Sequence, residues 1–315
     1  MSNQLDKVLF VARWGIGNGV FAYPSYKFLQ DRFEIVDVLT QTQAKEFWQL
    51  TAKGEVFEYQ DNIIKEDVLK EIENYDLVVC AGTIDPQYYM DQFEGKFGKA
   101  SIVKVPNSYW TKKYLTEPEY LWSWEVLQLE FGKIEFKRPE YDIETLPEYQ
   151  GKIVLNVDSA LYDTIPRMEK REWPAKKWIE LIKKYFMSFP YENMILIGKG
   201  NDECSRKIAK YCSVSTIDLV NKTSLKEVLS IIKGAIIFIG IDNGLSCLGS
   251  LFDVSQIVLY GPTSERKNEL FKPYQKIFTD INCRPCYTQI PECQTECMAN
   301  ISVKQVISTI KNHAL

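Results

Sequence analysis

The chain has 315 residues, 45% hydrophobic and 25% charged, with a formal net charge of −4. That length suits two domains of ordinary globular composition, and no apolar run approaches the roughly 18 residues that span a bilayer. Residues 1–150 hold 16 basic against 25 acidic side chains and the remainder 22 against 17, a balance that argues against nucleic acid as a partner and suits an anionic ligand in the second half. The opening MSNQLDKVLFVARWG lacks the pattern of a signal peptide. A cytoplasmic protein with at most peripheral membrane contact is expected.

Strand-like and helix-like runs alternate from end to end. In the first half, strands are predicted at Val8–Ala12, Ile35–Leu39, Val56–Tyr59, Leu77–Ala81 and Ser101–Val105, with helices at Val20–Gln30 and Lys65–Asn74. Periodicity is lost over Pro139–Gln150, the best linker. The second series places strands at Ile153–Val157, Met194–Ile197, Ala235–Ile239 and Gln256–Tyr260. Helices are expected at Lys176–Phe186, Asp202–Cys212, Leu225–Ile232, Gly244–Leu251 and Val303–Lys311. Such alternation specifies parallel sheets flanked by helices. The expected domains are 1–145 and 146–315, both Rossmann-like α/β units facing each other across a central cleft.

In such sheets ligands bind at the carboxyl ends of strands, and four segments fall there. RWGIGNGVFAYP (Arg13–Pro24) follows the first strand, and its glycines allow tight turning and close approach to a ligand. MEKREWPAKKW (Met168–Trp178) sets Lys170 and Arg171 just before a helix start at Pro174, where they can meet a diphosphate. LIGKGNDECSRKIA ends a strand and begins a helix at Asp202 or Glu203, a place for a cap or for a carboxylate that accepts ribose hydroxyls. IGIDNGLSCL takes a buried strand through Asp242-Asn243-Gly244 into a helix. Asp242 then lies at the strand end, and the amides of Gly244, Leu245 and Ser246 form the helix N-terminus.

The order of these segments, with NKTSLKEV (Asn221–Val228) and LYGPTSE (Leu259–Glu265), resembles glycosyltransferase family 9, the ADP-heptose:lipopolysaccharide heptosyltransferases. The resemblance implies a GT-B fold, with an acceptor-binding first domain and a donor-binding second domain. It implies inverting transfer of a sugar, heptose above all, from a nucleotide diphosphate donor such as ADP-heptose to a cell-surface glycan or protein, with no catalytic metal. Lys170, Arg171, Asp202, Glu203, Asp242, Gly244, Leu245 and Ser246 would hold the donor.

Two positions depart from the family pattern. Asn18 stands where the family has the aspartate assigned as general base, and an amide cannot accept that proton. Cys247 stands at the family's histidine. Asp85, in AGTIDP, is the first alternative base and Asp163 the next. A catalytically silent partner subunit that binds nucleotide sugar is the competing reading, and oligomeric assembly is compatible with either.

Cys283, Cys286, Cys293 and Cys297 fall within fifteen positions. In a chain without signs of export, four such thiols read as metal ligands rather than disulfides. Tetrahedral thiolates suit structural zinc or a single iron, and the resemblance extends to family members that bind iron at such a cluster.

Overall fold

The computed structural model describes residues 7–12, 15–60, 63–72, 74–81, 100–104, 117–159, 168–185, 194–199, 203–212, 216–287 and 292–313. The chain divides into two units, Met1–Glu140 and Tyr141–Leu315.

In the first unit the short apolar runs become strands β1 (Lys7–Ala12), β2 (Ile35–Gln41), β3 (Val56–Gln60), β4 (Ile63–Ile64), β5 (Leu77–Ala81) and β6 (Ser101–Lys104). They form one sheet in the order β4-β3-β2-β1-β5-β6, parallel except for the β3–β4 pair. Helices α1 (Ile16–Gln30), α2 (Thr42–Thr51), α3 (Glu66–Ile72) and α4 (Glu119–Phe131) connect or follow them. β1 is buried along nearly its whole length, as expected for a central parallel strand covered on both faces.

Helix α1 begins four residues before the expected Val20, which changes the reading of its glycines. Gly15 is the N-cap and accepts the first helical bond from Gly19 N at 3.2 Å. Gly19 is a packing residue: a Cβ there would come to 3.0 Å from the Phe47 ring. Its missing side chain lets α1 press on an aromatic cluster in which Trp48 meets Phe10, Tyr26 and Phe47 edge-on, at centroid separations of 5.2–5.7 Å.

The second unit contains β7 (Ile153–Asn156), β8 (Met194–Ile197), β9 (Thr216–Asp218), β10 (Ile237–Ile241), β11 (Ser255–Tyr260) and β12 (Gln275–Phe278). Their order is β12-β11-β10-β7-β8-β9, and every pairing is parallel. The helices are α5 (Ala175–Lys184), α6 (Glu203–Cys212), α7 (Leu225–Lys233), α8 (Gly244–Gly249), α9 (Glu296–Ala299) and α10 (Val303–His313). α7 opens with a capping box in which Ser224 and Glu227 satisfy each other's backbone amides, the local device that NKTSLKEV encodes. β10 runs two residues beyond the expected end at Ile239. Gly240 stays in register with Asn156 and Val258, so the strand delivers Asp242 at its carboxyl edge.

Both sheets reverse their strand order beside the first strand of the unit, between β1 and β5 and between β7 and β10. Crevices outside the carboxyl ends of such switch points are where open α/β sheets bind ligands. No helix among the described residues is long and apolar enough to cross a membrane.

Candidate functional site

At the switch point of the second unit, two asparagines tie three strand ends together. Asn156, fully buried at the end of β7, donates through Nδ2 to Ile197 O at 3.2 Å and Asp158 O at 3.1 Å. Its Oδ1 accepts from Asn243 Nδ2 at 2.6 Å, and the same nitrogen reaches Asp158 O at 3.2 Å. β7, β8 and β10 are thereby joined by side chains beyond the end of their backbone ladder. Gly240 leaves the room: a Cβ there would come to 3.2 Å from Asn156 Cβ.

The turn after β10 differs from the expectation. Asn243 is the N-cap of α8, its Oδ1 accepting from Leu245 N at 3.0 Å and Ser246 N at 3.4 Å. Two of the three amides expected to face a phosphate are thus already bonded within the turn. Ser246 is turned inward, its hydroxyl donating to Ile241 O at 2.6 Å. Asp242 does lie at the strand's carboxyl end but is 3% exposed and accepts from Asn268 Nδ2 at 2.8 Å. Asn268 O in turn accepts from Tyr260 OH, which pairs with Tyr274 OH at 2.8 Å. Burial and the Asp242 charge hold both phenols above their ordinary range.

The basic segment docks on the exit of β7. Ser159 donates from both N and Oγ to Glu172 Oε1, at 3.1 and 3.0 Å. Trp173 is fully buried, packs edge-on to Trp178 at 4.9 Å and donates its indole N–H to Ile301 O at 3.1 Å. Flanked by these anchors, Lys170 and Arg171 end a single 3₁₀ turn (Met168–Arg171). The Nε of Arg171 is buried with no hydrogen-bond partner among the described residues. A guanidinium left in that condition is poised for an anion, since burying an unmatched donor is costly. The Cys204 thiol lies within the field of Asp158 and Glu172 and is pushed up, first by burial and then by those two carboxylates.

Other sequence expectations divide. Glu203 is exposed and forms an i,i+4 ion pair with Lys207, which holds its carboxyl below the usual range. Asp85, Asp163 and Asp202 lie outside the described residues. Asn18, in the first turn of α1, donates through Nδ2 to Oε1 of Glu119 at 2.6 Å. No local signal singled out Glu119, because a glutamate opening a helix after Pro118 reads as an ordinary first-turn acid.

The cysteines require a correction. Among the described residues, no three Cys, His, Asp or Glu side chains group closely enough to hold a metal ion, so the arrangement does not support the expected ligand set of Cys283, Cys286, Cys293 and Cys297. Cys283 is exposed while Cys297 is buried, and burial pushes the Cys297 thiol up to about 11. Cys293 Sγ instead accepts from Thr295 N at 3.3 Å. What this segment does is brace the loop after β11. Pro262 O accepts from Cys286 N and Tyr287 N, at 3.0 and 2.8 Å. Arg284 fans its guanidinium over Gly261 O, Thr263 O, Thr279 O and Glu265 Oε2, at 2.5–3.2 Å. Arg284 is the residue that sequence reasoning missed here, hidden between two cysteines.

Comparison with solved structures gives the fold. The chain has the GT-B fold. It covers 99% of itself and 98% of a glycosyl transferase family 9 structure from Veillonella parvula, with a TM-score of 0.73 at 13% identity. Against Escherichia coli heptosyltransferase WaaC with ADP-2-deoxy-2-fluoro heptose, the coverages are 97% and 99%, the TM-score 0.69 and the identity 15%. In sequence, residues 153–298 match the model of glycosyltransferase family 9 (heptosyltransferase). Lipooligosaccharide heptosyltransferase 2 of Campylobacter jejuni is 28% identical over 151 residues, 44% of this chain and 46% of the relative. The match therefore spans about half the length of that curated relative.

Proposed function

We propose that the chain is an inverting glycosyltransferase that moves a sugar, heptose in the first instance, from an ADP-linked donor to a cell-surface glycan or protein. The second unit takes the donor and the first the acceptor. The observation that carries this reading is the Arg171 guanidinium, held beside the β7 switch point by Glu172 and Trp173 with a buried Nε that no described group satisfies.

In this reading the acceptor hydroxyl loses its proton as its lone pair bonds to the anomeric carbon. The bond from that carbon to the diphosphate oxygen breaks, and its electron pair leaves with the diphosphate. Negative charge grows on the departing phosphate, where Arg171 and Lys170 stabilise it. Because Asn243 already occupies the amides of Leu245 and Ser246, the cations carry most of that task. Asn156 and Asn243 keep the crevice rigid, and Asp242 with Asn268 forms its second wall.

Thermal unfolding with ADP, UDP, GDP and their sugars tests the reading. A donor at a hundred times its dissociation constant adds about 2.7 kcal/mol. ADP-heptose should raise the melting temperature selectively, and Arg171→Ala should remove that shift while leaving the ligand-free melting temperature within about 1 °C. Equal shifts with every nucleotide, or none with any, would refute the assignment.

A further inference from the structure

A transfer of this kind requires a group that takes the acceptor proton, and the side chain presented by the first turn of α1 is an amide that cannot. β1 is the central strand at the switch point of the first unit, and Asn18 lies just beyond its carboxyl end. Helix α4, which follows β6, brings Glu119 to the same place, where Oε1 accepts from Asn18 Nδ2 at 2.6 Å.

Glu119 is 3% exposed. A glutamate in a first helical turn gains its favourable interaction with the helix dipole at the surface, so burial adds a desolvation cost with no further return for the helix. Among the described residues of the first unit, one other carboxylate is buried, Asp37. Its oxygens accept from Glu55 N at 2.7 Å and Tyr75 OH at 2.6 Å, a structural task inside the sheet. Glu119 reaches the first turn of α1, past the end of the strand at the switch point. An amide nitrogen can only donate, so Oε1 faces Asn18 as an acceptor and its orientation is fixed.

We propose that Glu119 is the general base of the transfer, a role that rests on the transferase reading of the chain, and that Asn18 is its positioning residue. The Glu119 carboxylate takes the proton from the acceptor hydroxyl as that oxygen attacks the anomeric carbon and the diphosphate leaves with the bonding pair. The proton passes to solvent when product departs. The amide at position 18 is then half of a two-residue device in which the carboxylate comes from α4.

The full-length chain and its Glu119→Gln, Glu119→Asp, Asn18→Ala and Asp85→Asn variants would be compared with ADP-heptose as probe. The melting shift reports donor binding, and ADP release with water as acceptor reports turnover. Glu119→Gln should keep the melting shift and the KM for ADP-heptose within about threefold while kcat falls about 100-fold or more, the usual share of a general base. It should also lose the acid limb of the kcat–pH profile. Glu119→Asp, which keeps the charge should the amide variant not fold, should retain that limb at reduced kcat. Asn18→Ala should lower kcat about tenfold and move the midpoint of the limb, which a purely structural contact would not do. Loss of the limb in Asp85→Asn with its persistence in Glu119→Gln would overturn the assignment. A wild-type chain that binds ADP-heptose without releasing ADP would overturn the base but leave donor binding intact. A chain that binds no nucleotide sugar would sink the transferase reading itself.

Discussion

Arg284 offers the sharpest test of how the second unit holds its loops. Its guanidinium is 7% exposed, lies over the Phe278 ring at 4.8 Å and donates to three backbone carbonyls and the Glu265 carboxylate. Arg284→Ala leaves those four acceptors short of a donor. A hydrogen bond from a charged donor contributes about 1.5–3 kcal/mol, but the four share one cation, and water will reach some of them. Breaking a buried charge pair costs about 3–5 kcal/mol, and we expect the whole loss to fall in that range. For a unit of about 175 residues, each kcal/mol moves the melting temperature by roughly 2–4 °C, giving a drop of roughly 6–20 °C. Arg284→Lys restores the charge without the planar fork, so about 2 kcal/mol should still be missing. Urea unfolding followed by the fluorescence of Trp173 and Trp178, in a chain whose five first-unit tryptophans are replaced by phenylalanine, reads the second unit. An alanine variant within 1 kcal/mol of wild type, or a lysine variant equal to it, would show that the brace contributes little.

Other contacts are open to equally direct tests. Asn243→Ser keeps a capping oxygen but loses the donor to Asn156 and Asp158; a loss of about 1–2 kcal/mol with weakened donor binding is expected, and unchanged urea midpoints would refute the tie. Gly54→Ala drives a Cβ against the carbonyl oxygen of Val36 and Oδ1 of Asp37, so we expect at least about 2 kcal/mol of destabilisation, measured as a lower melting temperature. In native protein a thiol reagent should modify Cys283 first, whereas Cys204, Cys212, Cys247 and Cys297 should react only on unfolding; protection of all four clustered cysteines until a chelator is added would mean that they do form a ligand set. The raised Cys297 thiol predicts an alkaline instability. The folded state keeps a proton that the unfolded chain gives up near 8.5, so its share of stability is complete below that pH and lost towards about 11. Cys297→Ala should flatten that limb of a stability–pH curve.

Features that depend on local pattern were legible in the order of the amino acids. Short β-branched runs between amphipathic stretches marked nine of the twelve described strands within a few residues and hence the parallel class, because a buried strand must be apolar on both faces wherever the chain goes. The placement of Lys170 and Arg171 before a helix, and the cap within NKTSLKEV, were equally legible, since capping is written in adjacent residues. Partners distant in the chain were not. Asn18 meets Glu119, 101 residues away, and Asn156 meets Asn243, 87 residues away; no local spacing encodes either contact. Gly19 read as part of a ligand loop and proved to be packing, because folding sets Phe47 beneath it. The four cysteines suggested a metal through their close spacing, the absence of export signs and the family resemblance. Whether thiols converge depends on the turns and burial that the surrounding fold imposes, and here Arg284 braces the loop while Cys283 and Cys297 are left one at the surface and the other in the core.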